Sequence, residues 1–233
     1  MAVIEVWRVD LSNASQIDAL WPLLDSEEQA RAKRFHFDHD RRRFVLAHGA
    51  LRTILGWFCQ CPAADLHFVY SAHGKPALTP HYALTFNLSH SADLALCAIT
   101  TAGEVGVDVE CHRAVDATAL AQRFFSSSEA NRLAQLGGTA LQAAFFACWT
   151  RKEAYIKAKG LGLSLPLDQF TVSTDDAPPR MESSSFAPAD VAAFSLWSIP
   201  VPAGYSATLA YCGPCTGPPH IRDFLPAPTT DEF

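Results

Sequence analysis

The stretch "GVDVE" at residues 106–110 sets two carboxylates two positions apart inside an otherwise apolar run. In a strand, side chains two apart share a face, so Gly106, Asp108 and Glu110 face one way. Val107 and Val109 face the other way and can enter a core. Like charges side by side repel, and burying them unpaired costs on the order of several kcal/mol. A cation must therefore stand near them, either a metal ion or a Lys or Arg, unless water at a strand end solvates both. Farther along, "WTRKEAYIK" reads as helix, and Trp149, Glu153 and Lys157 recur every four residues on one stripe. An exposed Glu–Lys pair is the ordinary meaning of that spacing, but Trp149 on the same stripe argues that the face is partly buried. Glu153 then joins Asp108 and Glu110 as a third carboxylate. Oxygen-only ligands suit Mg²⁺, which keeps waters and shares its coordination with substrate phosphates. Lys152 and Lys157 would meet phosphate rather than carboxylate.

The elements that must hold these residues follow from periodicity and punctuation. "AVIEVWRVDL" alternates as a strand, and Ser26 with Gln29 three residues on has the pattern of a capping box. "DRRRFVLAHGALRTILGWF" continues as a long helix, and residues 62–82 read as loop. "ALTFNLS" and "LALCAIT" are strands around an "HSAD" turn, and "TAGE" turns the chain into "VGVDVE". The same order then recurs. Ser126 with Glu129 opens a short helix that "GG" at 137–138 ends, and Thr139 with Gln142 opens a long one that Gly160 stops. Strands follow at 170–173, 194–200 and 205–212. Short capped helix, long helix, then strands, occurring twice, predicts an α+β fold of two similar halves. Each half has helices packed on a small antiparallel sheet, residues 1–103 and 104–213, with 214–233 a loosely held Pro-rich tail.

The chain has 233 residues, 49% hydrophobic and 18% charged, which fits a globular protein with a real core and excludes a disordered one. A net charge of −6 argues against a general nucleic-acid binder. No apolar run approaches the roughly 18 residues of a membrane helix, and the first residues lack the charged-then-apolar pattern of a leader, so a cytoplasmic, membrane-free protein is expected. The 7 cysteines are an odd number, and the apolar settings of Cys97 and Cys148 suit reduced thiols. "CGPC" at 212–215 has redox-motif spacing, but the "TGPPH" that follows cannot form the helix such chemistry needs.

The chain resembles the 4′-phosphopantetheinyl transferases of the large, pseudo-dimeric (surfactin-synthetase-activating) class. The pieces that carry the resemblance are "GKP" at 74–76, "FNLSHS" at 86–91, "GVDVE" at 106–110, "FFSSSE" at 124–129 and "WTRKEAYIKAKGLGLSLPLDQF" at 149–170. They come in the family's order and spacing. The resemblance implies two halves related by a pseudo-twofold, with the active site between them. It implies a monomeric enzyme that uses coenzyme A and Mg²⁺ to place the phosphopantetheine arm on a serine of an apo acyl, peptidyl or polyketide carrier protein, releasing adenosine 3′,5′-bisphosphate. Asp108, Glu110 and Glu153 match metal ligands, and Glu153 is also a candidate base. With Asp108 and Lys157 it makes up the catalytic set. Arg31, Gly74, Lys75, Pro76, Ser89, His90, Lys152 and Lys157 match positions around coenzyme A. Glu28 stands near where some relatives carry a lysine, and Phe44 where some carry a small hydroxyl residue, which implies weaker selectivity for the 3′-phosphate. The carrier is expected to dock on residues 111–128, through Arg113 and Arg123.

Two other functions compete. A metal-dependent nuclease also combines Asp, Glu, Lys and Mg²⁺, but its lysine usually follows the acid on the same strand, whereas Lys157 is placed on a helix. A catalytically silent carrier-binding module would be expected to have lost part of the carboxylate set, and all three are present.

Overall fold

The computed structural model describes residues 3–79, 82–175, 177–214 and 217–225. Its strands are β1 (Ile4–Asp10), β2 (Phe68–Tyr70), β3 (Pro76–Leu78), β4 (Thr85–Ser91), β5 (Leu94–Thr100), β6 (Glu104–Cys111), β7 (Phe170–Val172), β8 (Met181–Ser184), β9 (Phe194–Ser198), β10 (Tyr205–Cys212) and β11 (His220–Asp223). The helices are α1 (Ile17–Leu20), α2 (Ser26–Lys33), α3 (Asp38–Cys59), α4 (Ala117–Phe124), α5 (Ser127–Leu133), α6 (Gly138–Lys159) and α7 (Asp190–Ala193). The fold is α+β, with helices on small, mostly antiparallel sheets. A four-stranded sheet runs β11-β1-β5-β4 and a three-stranded one β6-β10-β9, while β2-β3 and β7-β8 form two-stranded sheets.

Each group of elements has its own apolar core. Helix α3 buries Phe44, Leu51, Ile54 and Leu55 against β1, β4 and β5, while α6 buries Phe145, Phe146, Tyr155 and Ile156 with Phe125 and Phe170. A third cluster joins Ile4, Val6, Leu94 and Leu96 to Val105, Val107, Val109 and Leu209. The two valines of "GVDVE" thus enter the core between the sheets, which leaves Asp108 and Glu110 on the side toward α6.

The similarity of the two halves expected from sequence extends to two buried cations. In α2 the N-cap is Asp25, whose side chain accepts from the backbone of Glu27 and Glu28 while Glu28 returns to the Asp25 N–H. The capping box therefore lies one residue before the Ser26–Gln29 pair read from sequence, because an aspartate at 25 and a glutamate at 28 meet the same geometry with charge. Arg52 of α3 donates to Glu28 and to the carbonyls of Ala63 and Leu66, and sits over Phe68. In the second half Ser126 and Glu129 form the expected box. Lys152 of α6 pairs with Glu129 at 2.8 Å, donates to the carbonyls of Leu167 and Phe170, and sits over Phe170. One arrangement is built twice, about a hundred residues apart.

Three further expectations change. No Thr139–Gln142 box forms: α6 starts after Gly137, and Gln142 instead donates to the Val115 carbonyl, joining α6 to the segment after β6. Residues 62–82 contain the β2–β3 hairpin, and a further strand, β8, lies in the polar stretch between the strands expected at 170–173 and 194–200. The stretch after Pro214 is not all loose, since β11 pairs in parallel with β1, and Arg222 and Asp223 bond Glu5 and Arg8. Those charged pairs offset the weak hydrophobicity of "HIRD". The last residues, 226–233, and Cys215 lie outside the described residues.

Candidate active site

Gly106 explains how a helix can carry a carboxylate up to this strand. A Cβ there would stand 2.1 Å from the Ala154 carbonyl oxygen and 2.3 Å from the Ala158 nitrogen, so only glycine lets α6 lie directly on β6. That contact sets Glu153 and Lys157 over the face carrying Asp108 and Glu110. Trp149, one turn earlier on the stripe, packs with Phe124, Phe125 and Phe145 and anchors that end of the helix.

Asp108 is buried, and its Oδ1 accepts from Lys157 Nζ at 2.6 Å and from Ser89 Oγ at 2.9 Å. Lys157 also donates to Ser89 at 2.9 Å. The cation beside the strand carboxylates is thus a lysine, which corrects the expectation that Lys157 meets only phosphate: a 2.6 Å ion pair offsets the desolvation of a buried aspartate. Burial raises the Asp108 carboxyl above its ordinary range against the pull of Lys157 and Ser89. Burial, and then the charge of Asp108, raises Glu153 as well. Glu110 accepts from Ser91 Oγ and from Arg113, both at 3.0 Å. Among the described residues no three His, Cys, Asp or Glu side chains form a ready-made metal cage. Even so, Asp108 Oδ2 is buried with no hydrogen-bond partner, an orphaned anionic oxygen beside a second acid, and that donor chemistry fits a hard divalent cation.

Strand β4 supplies Asn87 and Ser91, which sequence reasoning missed, and gives Ser89, expected beside coenzyme A, partners on β6 and Lys157. Val107 N–H donates to Asn87 Oδ1 at 2.9 Å, Val109 N–H to Ser89 Oγ at 3.3 Å, and Cys111 N–H to Ser91 Oγ at 3.0 Å. The edge of β6 is therefore satisfied by alternate side chains of β4, not by a backbone ladder. The Ser89 and Ser91 hydroxyls in turn donate hydrogen bonds to Asp108 and Glu110. The signal was the period-2 run Asn87, Ser89, Ser91 opposite the alternate residues Phe86, Leu88 and His90.

The other expected site residues separate into two groups. Arg31, Gly74, Pro76 and His90 line a cavity of about 220 Å³ together with Glu28 and His48. Lys75 does not turn its ammonium into that cavity. It donates to the carbonyls of Ala158 at 2.9 Å and Val105 at 3.3 Å, and to Glu104, pinning the 74–76 turn to the end of α6. Lys152 is withdrawn altogether: it is fully buried on Glu129 and two carbonyls and has no proton left for a phosphate. A larger cleft of about 750 Å³, between Arg8, Asp93, Pro202 and Phe224, contains none of these carboxylates.

Residues 104–210 match the family described as the 4′-phosphopantetheinyl transferase superfamily, and residues 10–102 match the N-terminal region of 4′-phosphopantetheinyl transferases. The chain belongs to this family. It is 39% identical over 187 residues to the 4′-phosphopantetheinyl transferase HetI of Nostoc sp., covering 78% of each chain. It is 37% identical to psf-1 of Bacillus pumilus over 72% of each. To Sfp of Bacillus subtilis it is 31% identical, over 64% of this chain and 66% of the other. This phosphopantetheinyl transferase chain is accordingly a transferase. None of its described helices is long and apolar enough to cross a membrane.

Proposed function

We propose that the protein transfers the 4′-phosphopantetheine arm of coenzyme A to a serine hydroxyl of an apo acyl, peptidyl or polyketide carrier protein. The observation that carries this reading is the convergence of Asp108, Glu153 and Lys157 where α6 crosses β6 at Gly106. The serine oxygen attacks the phosphorus bearing the pantetheine arm, and the pyrophosphate P–O bond on the nucleotide side breaks. Adenosine 3′,5′-bisphosphate leaves. Glu153 receives the serine proton, and burial next to Asp108, which raises its carboxyl, suits a base. Lys157 has a position from which its ammonium can shift from Asp108 to a phosphate oxygen and screen the leaving group. Asp108, Glu110 and Glu153 would hold Mg²⁺, which supplies charge neutralisation for the pyrophosphate when bound. Ser89 fixes the Asp108 carboxylate for that role, and Ser91 fixes Glu110.

The test is incubation with coenzyme A, MgCl₂ and a panel of apo carriers, followed by mass spectrometry of each carrier. A gain of one phosphopantetheine is expected on at least one of them. Asp108→Ala should lower the rate about a hundred- to thousand-fold, the usual cost of losing one transition-state-stabilising group. Full turnover with chelator present would remove the metal from the scheme, and no modified carrier would remove the function.

A further inference from the structure

Strands β4 and β5 pair with Ser91 opposite Leu94, so the loop between them is only Ala92 and Asp93. The favoured two-residue hairpin turns need positive φ at the first loop position, where glycine is the usual occupant because it has no Cβ to crowd the backbone. Ala92 stands there with φ +48°. Among the described residues the other non-glycine with positive φ is Gln60, which caps the end of α3. An L-residue in this conformation carries standing strain, and it persists only where its neighbours impose it.

At Ala92 they do so through Asp93. The Asp93 Oδ1 accepts from Arg43 Nε at 3.0 Å and from Arg43 Nη2 at 2.8 Å. Its carbonyl accepts from the Leu11 N–H at 2.9 Å, and its own N–H donates to Tyr205 Oη at 3.3 Å. Helix α3, the segment after β1, and β10 of the second half thus converge on one exposed turn residue. On the other side of Ala92 is Ser91, whose hydroxyl accepts from the Cys111 N–H and donates to Glu110. Cys111 and Tyr205 lie opposite each other on β6 and β10. The turn is therefore gripped from the same pair of strands that its serine has to reach. Relaxing Ala92 to negative φ would reorient the chain directly after Ser91 and draw the hydroxyl away from Glu110.

We propose that Asp93 is a positioning residue for the metal site: gripped by Arg43 and Tyr205, it keeps Ala92 in the left-handed conformation that holds Ser91 on Glu110, and so sets the affinity for a divalent cation. Asp93 is not a ligand in this scheme; it acts through Ser91. Because the strain at Ala92 is what makes the grip necessary, removing the strain should remove the need for Asp93. The proposal rests on the magnesium reading above, and it is tested separately from transfer.

Calorimetric titration of Mg²⁺ into the protein, with coenzyme A present and no carrier, reads the site directly. Asp93→Ala should weaken Mg²⁺ binding on the order of tenfold, the lower end of what is usual when a group supporting a metal ligand is lost. Tyr205→Phe removes only the hydroxyl and should shift the affinity in the same direction by less. Adding Ala92→Gly to Asp93→Ala should restore most of the lost affinity, because glycine holds positive φ without help. The Mg²⁺ concentration for half-maximal transfer should follow the same order, with KM for the carrier unchanged. Should Asp93→Ala not fold, Tyr205→Phe with and without Ala92→Gly carries the same test. Unchanged Mg²⁺ affinity in Asp93→Ala would overturn the proposal. A loss that Ala92→Gly does not rescue, with the melting temperature retained, would overturn it too, since Asp93 would then act through its charge alone. Both results leave the magnesium reading intact, whereas a wild type that binds no Mg²⁺ sinks the two together.

Discussion

Arg52 and Lys152 occupy matching places in the two halves: each is fully buried on a long helix, and each ties the capping-box glutamate of a short helix to the turn before a strand. A charge buried in this way is destabilising to break, because removing one partner strands the other in a low-dielectric interior. The pair separates two lysines that look alike in sequence, since Lys152 supports the fold whereas Lys157, five residues on, faces Asp108.

Lys152→Met should therefore cost about 3–5 kcal/mol of stability, the usual penalty for leaving a buried partner charge uncompensated. Urea unfolding at neutral pH measures it. Unchanged stability with weakened coenzyme A binding would return Lys152 to the ligand site.

Glu28 gives a pH dependence with a definite sign. Against burial, His48 and Arg52 depress its folded pKa, so it adds stability that is present above the unfolded value, near ~4.3, and is lost as pH falls through the lower folded value. Unfolding free energies of wild type and Glu28→Gln should differ by on the order of 2–4 kcal/mol at pH 7. The difference should shrink below the ordinary glutamate range. A difference that grows on acidification would contradict the assignment.

Ser91→Ala removes the hydroxyl that joins the Cys111 N–H to Glu110. A loss of about 1 kcal/mol in stability is expected, with a several-fold rise in the Mg²⁺ concentration needed for half-maximal activity. Direct Mg²⁺ titration of the protein should show the same weakening. Unchanged Mg²⁺ affinity would confine Ser91 to backbone satisfaction.

Lys75→Met should free the 74–76 turn from the Ala158 and Val105 carbonyls. The expected result is weaker binding of coenzyme A and of 5′-AMP alike, because the cavity wall and not a phosphate contact is disturbed. An effect limited to phosphate-rich ligands would mean that the ammonium reaches the phosphates after all.

Cys212→Ser should leave transfer intact. Cys212 ends strand β10 and is paired with Phe194 and Glu104, and burial raises its thiol pKa, so nothing there activates a thiolate. Reductant-dependent activity lost in this variant would show otherwise.

Local chemistry was enough to establish much of this protein. Alternation in "GVDVE" fixed which residues share a face, and the stripe of Trp149, Glu153 and Lys157 fixed which helix residues lie together on one side, because strand and helix periods are set by backbone geometry alone. Five separated motifs in order were enough for the family. The sequence could not decide where a long, charged side chain ends. Lys75, Lys152 and Lys157 are one residue type with several flexible bonds, and only the surrounding carboxylates and helix-end carbonyls determine whether each ammonium is buried as structure or turned to the site. Glu28 taken alone reads as a repulsive charge, whereas His48 and Arg52, twenty and more residues away, pair with it inside the fold. The β4–β6 junction escaped for the same reason. Asn87, Ser89 and Ser91 are ordinary polar strand residues until tertiary packing brings the unpaired N–H groups of another strand against them.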